Sequence, residues 1–563
     1  MQSSIDRPMR AGQAAMFDRA LAFYKAGAFP AVVDLCLEIL KAEPNQAACL
    51  HLLASAAQQL GRFDLATRLL ARLVRLRPGW ADGHYQLGNV LRAQGDQVKA
   101  MAAYREALRH RPDHPETLNN LANALQAQSR LPEAIEHYRR ALALRPDYRD
   151  ALANLGTALR GAEQLDEARG CYDRLLALDP DNADGWNGLC LVHHAAGRLD
   201  EARGAVDRAL ALRPDFAEAL VNLSNLLQEA GDRTGAIAAL DRFLVRDPHH
   251  AKARNNRALL LLGAGRFEAG WRDYEWRWDA SSLGRSWRDL GVPQWHGEPA
   301  EGRTILVHAE QGFGDTLQFC RYVPMLAARG FRVMLEVPPP LLRMMTNLAG
   351  VARVFPRGVP LPRVDLHCPL LSLPLGFCTR LETIPAAVPY LTADPVAIEG
   401  WRRRLAGRRL TVGLAWAGNP RAAVAELAAL DRRRSMPPAA LAPLLDCPGV
   451  RFVSLQKEGP PAPAEFGMLD PMPAMVDFAD TAALVAALDL VISVDTSVVH
   501  LAGALGRPVW LLNRFDGCWR WLDGRDDSPW YPTLRQFRQQ APGDWGDVVA
   551  RVRQALAERA RRG

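Results

Sequence analysis

The chain of 563 residues is 49% hydrophobic and 23% charged, which is typical of globular proteins and excludes disordered and collagen-like classes. Its formal net charge of +7 is spread along the sequence, and because the one dense basic run is the tail Arg559–Arg562, we do not expect nucleic-acid binding. The nine cysteines lack C-x-x-C or metal-ligand spacing, so we expect reduced thiols in a cytoplasmic protein. Because no apolar stretch reaches about 18 residues, we expect no transmembrane segment.

Prolines recur at a fixed interval through the first half of the chain. Each stands 34 residues after the last: Pro44, Pro78, Pro112, Pro146, Pro180, Pro214 and Pro248. Alanine from Ala100 to Ala236 and glycine from Gly27 to Gly265 share this interval, with Ser129 and Glu163 replacing two of the glycines. A period of this length predicts repeated helix–turn–helix units with glycine in turns of positive φ.

These ladders resemble the tetratricopeptide repeat (TPR) family over residues 13–280, a span that holds about eight units. The first and last units are degenerate, as terminal caps of repeat proteins tend to be. The resemblance implies an α-solenoid, the TPR superhelix, that holds other polypeptides.

Asparagines occupy one equivalent position in most of these units. They are Asn120, Asn154, Asn222 and Asn256, with Gly188 at the missing position. A primary amide offers donors and an acceptor that can bind the backbone of an extended peptide without reading its sequence. The alternative, which stays open here, is that these amides only bond to neighbouring backbone.

Residues 281–302 follow as a linker or docking segment, preceded by the aromatic run Trp271–Trp278 and containing Trp287 and Trp295. Because dense aromatic side chains at a domain boundary favour packing, we expect a docking surface between the repeats and the next domain.

From Thr304 onward, short apolar runs alternate with amphipathic helices. Strands are predicted at residues 305–310, 331–337, 411–418, 451–456, 490–495 and 508–512. We therefore expect an α/β GT-B fold with two Rossmann-like lobes, an N-terminal lobe at 303–400 and a donor-binding lobe with a C-terminal helix at 401–563.

Two segments carry the chemistry. A glycine turn, Gly312-x-Gly314 followed by Asp315, lacks the third glycine of a dinucleotide fingerprint, so an NAD site is disfavoured. In the run 489–512 a strand ends at Asp495, and Thr496 and Ser497 open a helix whose amino terminus can bind a diphosphate. His500 lies about one turn into that helix, on the side of the same ligand.

The two segments together resemble glycosyltransferase family 9, the heptosyltransferase group. VISVDTSVVHLAGALGRPV looks like its donor-binding segment and GFGDTLQF its amino-terminal motif, while WAGN and SLQK fit a variant fused to TPR repeats. The resemblance spans about 303–540 and implies a nucleotide-sugar donor, inversion by single displacement, and no cofactor.

The resemblance also implies roles for individual residues. Asp315 corresponds to the proposed catalytic base, although an aspartate there could also cap a helix starting at Thr316. The donor-binding set comprises Gly312, Gly314, Asn419, Arg434, Lys457, Asp495, Thr496, Ser497 and His500. Ser497 departs from the glycine more usual in the family, and for His500 a buried structural histidine is an equal alternative.

A cation is needed to stabilise the departing phosphates. Arg434, in the run Arg432–Arg434, best matches the family's basic residue, and Lys457 is a second candidate. Since no D-x-D motif or carboxylate pair lies near the donor segment, we expect a metal-independent reaction. The insertion at residues 422–431 leaves the placement of Arg434 open.

The N-terminal lobe is smaller than in heptosyltransferases, so acceptor choice is expected to lie with the repeats. The sequence thus predicts a bacterial-type transferase that moves a sugar from a nucleotide-diphosphate donor to a protein held by the TPR stack. Two alternatives stay open: a TPR scaffold with a non-catalytic GT-B nucleotide-binding domain, and a nucleotide-sugar epimerase.

Overall fold

The computed structural model describes residues 9–280, 288–300, 302–407, 409–419 and 431–562. Two features singled out in the sequence, Trp287 and the insertion up to residue 430, lie outside these ranges. The chain divides into two compact units, Met1–Leu226 and Leu227–Gly563. None of the helices in the described ranges combines the length and the hydrophobicity needed to cross a membrane.

Residues 9–274 form eight helix pairs within the described part of the chain. Their bounds are α1 Ala11–Lys25, α2 Phe29–Ala42, α3 Ala47–Gln59, α4 Phe63–Leu76, α5 Ala81–Ala93, α6 Gln97–His110, α7 Pro115–Ala127, α8 Leu131–Leu144, α9 Arg149–Gly161, α10 Leu165–Leu178, α11 Ala183–Ala195, α12 Leu199–Leu212, α13 Ala217–Glu229, α14 Arg233–Arg246, α15 Ala251–Gly263 and α16 Phe267–Tyr274. The predicted helical solenoid is therefore confirmed.

The ladder residues pack as their types predict. The alanines at the close helix contacts, such as Ala134 and Ala168, have no exposed surface, and Tyr138 is equally buried one turn later. Every glycine of the turn ladder has a positive φ, and Ser129 and Glu163 adopt the same conformation with φ of 59° and 60°. The turn, rather than glycine itself, is thus what the repeat preserves.

The α/β part of the second unit contains two parallel sheets. The strands are β1 Thr304–His308, β2 Arg332–Val337, β3 Val351–Pro356, β4 Leu366–Pro369, β5 Leu410–Ala415, β6 Val450–Ser454, β7 Leu490–Val494, β8 Val509–Asn513 and β9 Leu534–Arg538. Their orders are β3-β2-β1-β4 and β6-β5-β7-β8-β9, with every pairing parallel. Two parallel α/β lobes after the repeats confirm the predicted fold class.

Helices surround both sheets. They are α17 Arg277–Ala280, α18 Phe313–Phe319, α19 Val323–Ala328, α20 Leu342–Met345, α21 Leu373–Gly376, α22 Pro395–Leu405, α23 Ala442–Leu445, α24 Phe478–Ala487, α25 Ser497–Ala504 and α26 Trp545–Arg562. Outside the edge strand β3, most strand residues are buried, as expected where helices cover both faces of a parallel sheet.

The aromatic run that ends the repeats packs against both lobes. Trp271 is 2% exposed, donates its Nε1 hydrogen to the Thr379 carbonyl at 3.1 Å, and meets Trp519 edge-on at 5.4 Å. One core cluster of the second unit therefore runs from the last repeat into both lobes.

Candidate functional site

The sheet of the C-terminal lobe has a switch point between β5 and β7. With the order β6-β5-β7-β8-β9, the chain leaves β5 toward one edge of the sheet and leaves β7 toward the other. Loops at the carboxyl ends of two such strands diverge and leave a crevice, the usual place for a ligand in an open α/β sheet. The loop Trp416–Asn419 follows β5, and Asp495–Ser497 follows β7.

The crevice contains the amino terminus of α25. Thr496 is the N-cap residue, and its Oγ1 accepts a hydrogen bond from the Val498 amide at 3.3 Å. Asp495, Thr496 and Ser497 are all half-buried rather than sealed in the core. The crevice therefore presents a helix amino terminus, where the helix dipole favours an anion.

Arg434 supplies a positive charge at the same place. Its Nη1 donates to the Asp495 carbonyl at 3.1 Å, and its Nη2 pairs with Asp431 at 2.6 Å. A Cβ on Gly418 would lie 2.5 Å from Arg434 Nη2, so only glycine lets the β5 loop approach the guanidinium so closely. Asn419 is exposed on that loop. The structure thus brings Asn419, Arg434 and Asp495 to one crevice.

Lys457 is less directly placed. Its Nζ donates to the carbonyls of Met472 and Met475 at 2.9 and 2.7 Å, so it holds the loop before α24. Its neighbour Gln456, which the sequence analysis missed, accepts from the amides of Trp416 and Ala417 at 2.9 and 3.0 Å. Gln456 therefore fixes the β5 loop that borders the crevice.

In the glycine turn of the N-terminal lobe Asp315 does cap a helix, but from inside its first turn and not as the residue before a helix starting at Thr316. Helix α18 begins at Phe313, not Thr316, with Gly312 as its N-cap. Asp315 lies inside the first turn, where its Oδ2 accepts the Gly312 amide at 3.0 Å. Its Oδ1 accepts a hydrogen bond from Arg520 of the other lobe. The carboxylate therefore closes the turn and also contacts the second lobe.

The two motifs touch at Gly314 and His500. A Cβ on Gly314 would lie 2.7 Å from Cδ2 of His500, so α18 and α25 meet where glycine removes the side chain. His500 is 4% exposed, stacks on Trp521 at 5.2 Å, and lies 3.0 Å through Nδ1 from the Tyr531 hydroxyl. Burial, reinforced by three arginines nearby, lowers the pKa of His500 well below its usual value, so the ring is neutral.

Arg520 is the second residue that the sequence analysis missed. It lies in the short 3₁₀ turn Trp519–Trp521 after β8 and reaches across to α18. The only sequence feature that could have drawn attention to Arg520 is its position between two tryptophans, in the run Trp519–Trp521. Nothing in the local sequence indicates that it contacts Asp315.

The asparagine ladder of the first unit is linked by its own side chains. Nδ2 of each donates to an asparagine of the preceding unit: Asn120 to Asn89 at 2.9 Å, Asn154 to Asn119 at 3.1 Å, and Asn222 to Asn187 at 2.8 Å. The partners are side chains rather than the backbone that the alternative invoked. Each side-chain amide has a second N–H that could donate to a peptide, so peptide binding by this asparagine row stays a prediction. Asn256 lies on α15, in the second unit.

One group in the described ranges has metal-ligand spacing, and it lies far along the sequence from the lobes. Ligand atoms of His84, Glu106 and His110 lie within 4.8 Å of one another. Arg109 already pairs with Glu106 and lies 2.9 Å from Nε2 of His110. Because that guanidinium compensates the carboxylate, we assign no metal ion to this group.

Comparisons with known proteins match both parts of the chain. Models of the tetratricopeptide repeat match residues 88–129, 113–181, 153–216 and 221–274. The model described as glycosyltransferase family 9 (heptosyltransferase) matches residues 472–512, which contain β7, α25 and most of β8.

Protein FlbA of Caulobacter vibrioides is 29% identical over 329 residues, covering 53% of this chain and 54% of FlbA. The chain thus aligns with about half the length of this curated relative.

Solved structures match through helical repeats. YrrB, titled a TPR protein with an unusual peptide-binding site, is 20% identical with a TM-score of 0.30, over 33% of this chain and 95% of that one. A thermophilic TPR protein from Thermus thermophilus is 25% identical with a TM-score of 0.29, over 32% of this chain and 100% of that one. The chain therefore combines tetratricopeptide repeats with a carboxyl-terminal segment that matches glycosyltransferase family 9.

Proposed function

We propose that this protein is a glycosyltransferase that moves a sugar from a nucleotide-diphosphate donor to a polypeptide held by its repeats. The observation that carries the proposal is the switch-point crevice, where Arg434 meets the amino terminus of α25, a helix within the segment that matches family 9. Amides and a guanidinium together suit a diphosphate, since both donate hydrogen bonds to phosphate oxygens.

The reaction we propose is a single displacement. An acceptor oxygen forms a bond to the anomeric carbon while the bond from that carbon to the phosphate oxygen breaks, and the nucleoside diphosphate leaves with the electron pair. Asp315 takes the acceptor's proton, while Arg434 and the amides after Asp495 stabilise the leaving charge. One carboxylate suffices for such an inverting, metal-independent step, because a double displacement would need a second as nucleophile.

Two features support a polypeptide acceptor. The corresponding switch point of the N-terminal lobe, between β1 and β4, is filled by this chain's own Arg277, which pairs with Glu310 at 2.8 Å with both side chains 1% exposed. A small acceptor therefore has no room there. The asparagine row of the repeats retains donors and acceptors for an extended backbone. All nine cysteines are unpaired, which supports a cytoplasmic location.

The donor site is tested by binding. UDP, ADP, GDP and CMP are each added to the protein, and the shift in Tm is measured; a nucleotide that binds the folded state raises Tm. Arg434→Gln should reduce the shift, because it removes a phosphate partner. Arg433→Gln is the matched control, since Arg433 pairs with Asp516 at 3.0 Å instead.

Transfer is tested with the corresponding nucleotide-sugars and a cell lysate as the source of acceptor. We expect labelled protein with the wild type and its loss in Asp315→Asn, while the nucleotide shift in Tm persists. Equal labelling by Asp315→Asn would contradict the proposed base. Absence of both labelling and nucleotide binding in the wild type would contradict the transferase itself.

A further inference from the structure

Arg520 connects the two lobes at the carboxylate to which we assign proton transfer. Its Nη2 donates to Asp315 Oδ1, and its Nε donates to Gln318 Oε1 at 2.9 Å. Asp315 and Gln318 are three residues apart on α18 and so lie on one face of the helix. One guanidinium from the C-terminal lobe therefore binds two successive side chains of the N-terminal lobe.

The arginine is held rigidly. Its side chain is 10% exposed, its guanidinium lies 4.3 Å from the centre of the Trp519 ring, and its Nη1 contacts Cys518 Sγ at 3.2 Å. Burial acts to lower the pKa of Arg520, but Asp315, Cys518 and Tyr274 together outweigh it and the pKa is raised, so the side chain stays charged. A buried arginine with this many partners has one conformation, and it transmits that order to the groups it binds.

The two oxygens of Asp315 are thereby fixed independently. Oδ2 accepts the Gly312 amide from its own turn, and Oδ1 accepts Arg520 from the other lobe. Each carboxylate oxygen has two lone pairs, so this arrangement orients the group and still leaves capacity to accept a proton.

We propose that Arg520 is a positioning residue for glycosyl transfer, which orients Asp315 toward the acceptor and aligns it with the donor lobe. This inference rests on the proposed function. It predicts that Arg520 acts on the rate of the chemical step through Asp315 and has little effect on donor binding.

The chain offers a matched control in a second arginine that joins the lobes. Arg343, on α20, pairs with Asp477 at 2.6 Å and also with Asp480, and its side chain is 56% exposed. Like Arg520 it bridges the two lobes with carboxylate partners, but it does not contact Asp315. Loss of a bridge alone is therefore measured by Arg343→Gln.

The experiment measures kcat and KM for release of nucleotide from the UDP-, ADP-, GDP- or CMP-linked sugar that the wild type turns over. Arg520→Gln should lower kcat about 100-fold, as expected for a misplaced catalytic group, with the donor KM within about threefold of wild type. Arg520→Lys, which keeps the charge but not the two-pronged geometry, should recover part of the loss. Arg343→Gln should change neither constant by more than about threefold.

A double-variant cycle decides whether the effect passes through Asp315. If it does, Asp315→Asn with Arg520→Gln is no slower than Asp315→Asn alone. The proposal would be overturned if the double variant lost the product of the two single-variant losses in kcat. It would also be overturned if Arg520→Gln changed only KM. Should Arg520→Gln have a collapsed Tm, Arg520→Lys takes its place in the cycle with the same two outcomes.

Failure of the proposed function has a different signature. A wild type that binds none of the four nucleotides and turns over none of the nucleotide-sugars overturns both proposals together. An active wild type with an equally active Arg520→Gln overturns only the role of Arg520.

Discussion

Two turns of the repeats hold a backbone conformation that side chains disfavour. Ser129 and Glu163 have φ of 59° and 60°, where the equivalent positions in other units are glycines with φ between 70° and 84°. The left-handed region costs a residue with a Cβ about 1–2 kcal/mol, and glycine loses part of this advantage through its extra entropy in the unfolded chain. The sequence predicted these turns, but only the structure shows that the substituted ones keep the same conformation.

Replacing Glu163 with glycine should therefore stabilise the repeats. Glu163 is exposed, so we expect an increase of about 0.5–1 kcal/mol in the free energy of unfolding from relief of the backbone conformation. Urea denaturation followed by circular dichroism measures it. The reverse change at the equivalent turn, Gly197→Glu, should lower stability by a similar amount, and equal midpoints for both variants would contradict the argument.

At the scale of the repeat element, the structure explains the missing position of the asparagine row. The ring of Tyr172 lies against Gly188, where a Cβ would come within 2.3 Å of Tyr172 Cε1. The other side of the same ring lies against Gly156, where a Cβ would be 2.7 Å from Tyr172 Cε2. The tyrosine hydroxyl bonds to Thr157 at 2.9 Å. In this unit the ring of Tyr172 therefore occupies the space that a side chain at position 188 would need.

Restoring the row with Gly188→Asn should therefore destabilise the protein. Forcing a side chain into a packed contact costs about 1–3 kcal/mol, which outweighs the gain in helix propensity over glycine. Gly170, a helical glycine with open space around its Cβ position, is the control, and Gly170→Asn should be neutral or slightly stabilising. Urea midpoints of the two variants give the comparison, and a stable Gly188→Asn would mean that the Tyr172 ring moves aside freely.

Periodicity made the repeats and the central strands predictable, whereas three edge strands, β3, β4 and β9, were missed. The strand β4 has four residues, and β9, Leu534–Arg538, alternates with polar side chains and has no apolar run. The motifs around Asp495 and Asp315 were found because their residues are adjacent in sequence. Arg520 and Gln456 were missed because each acts on a partner far along the chain, Arg520 on Asp315 and Gln456 on Trp416. Such partners are set by strand order, which local sequence does not encode.

At the scale of the second unit, a buried ion pair joins the last repeat to the N-terminal lobe. Arg277 donates to Glu310 through Nε and Nη2, at 2.8 and 3.0 Å, and also binds Ser372 at 2.8 Å. Glu310 follows β1, so the pair lies at the switch point of that sheet. It therefore fixes the end of the repeats on the lobe that carries Asp315.

Breaking this pair from one side should be strongly destabilising. Arg277→Met leaves the Glu310 carboxylate buried without its cation, and we expect a loss of about 3–5 kcal/mol in urea denaturation. The double variant Arg277→Met with Glu310→Met removes this pair and leaves only Glu275, a less buried second partner of Arg277 at 2.8 Å, so it should recover part of that stability. A double variant as unstable as the single one would show that packing, rather than the unpaired charge, dominates.

Buried histidines make the stability of the same unit depend on pH. Burial, with further lowering by His367 and nearby arginines, brings the pKa of His308 to about 3, and burial also lowers the pKa of His500. Both rings stay neutral in the folded state, whereas in the unfolded chain they protonate below about pH 6.5. The unfolded state thus binds more protons in this window, so stability is present above about pH 6.5 and is lost as the pH falls toward the folded pKa.

His308 should remove about 2 kcal/mol of stability between pH 7 and pH 5, and His500 acts in the same direction. Twelve of the fourteen tryptophans lie between Trp271 and Trp545, so tryptophan fluorescence during urea denaturation reports mainly on the second unit. His308→Gln keeps a polar partner for His367 and should reduce the fall between the two pH values by about 2 kcal/mol, even if its stability at pH 7 is lower. The same fall in His308→Gln as in the wild type would show that His308 becomes protonated without unfolding. That outcome would contradict its sealed position at the end of β1.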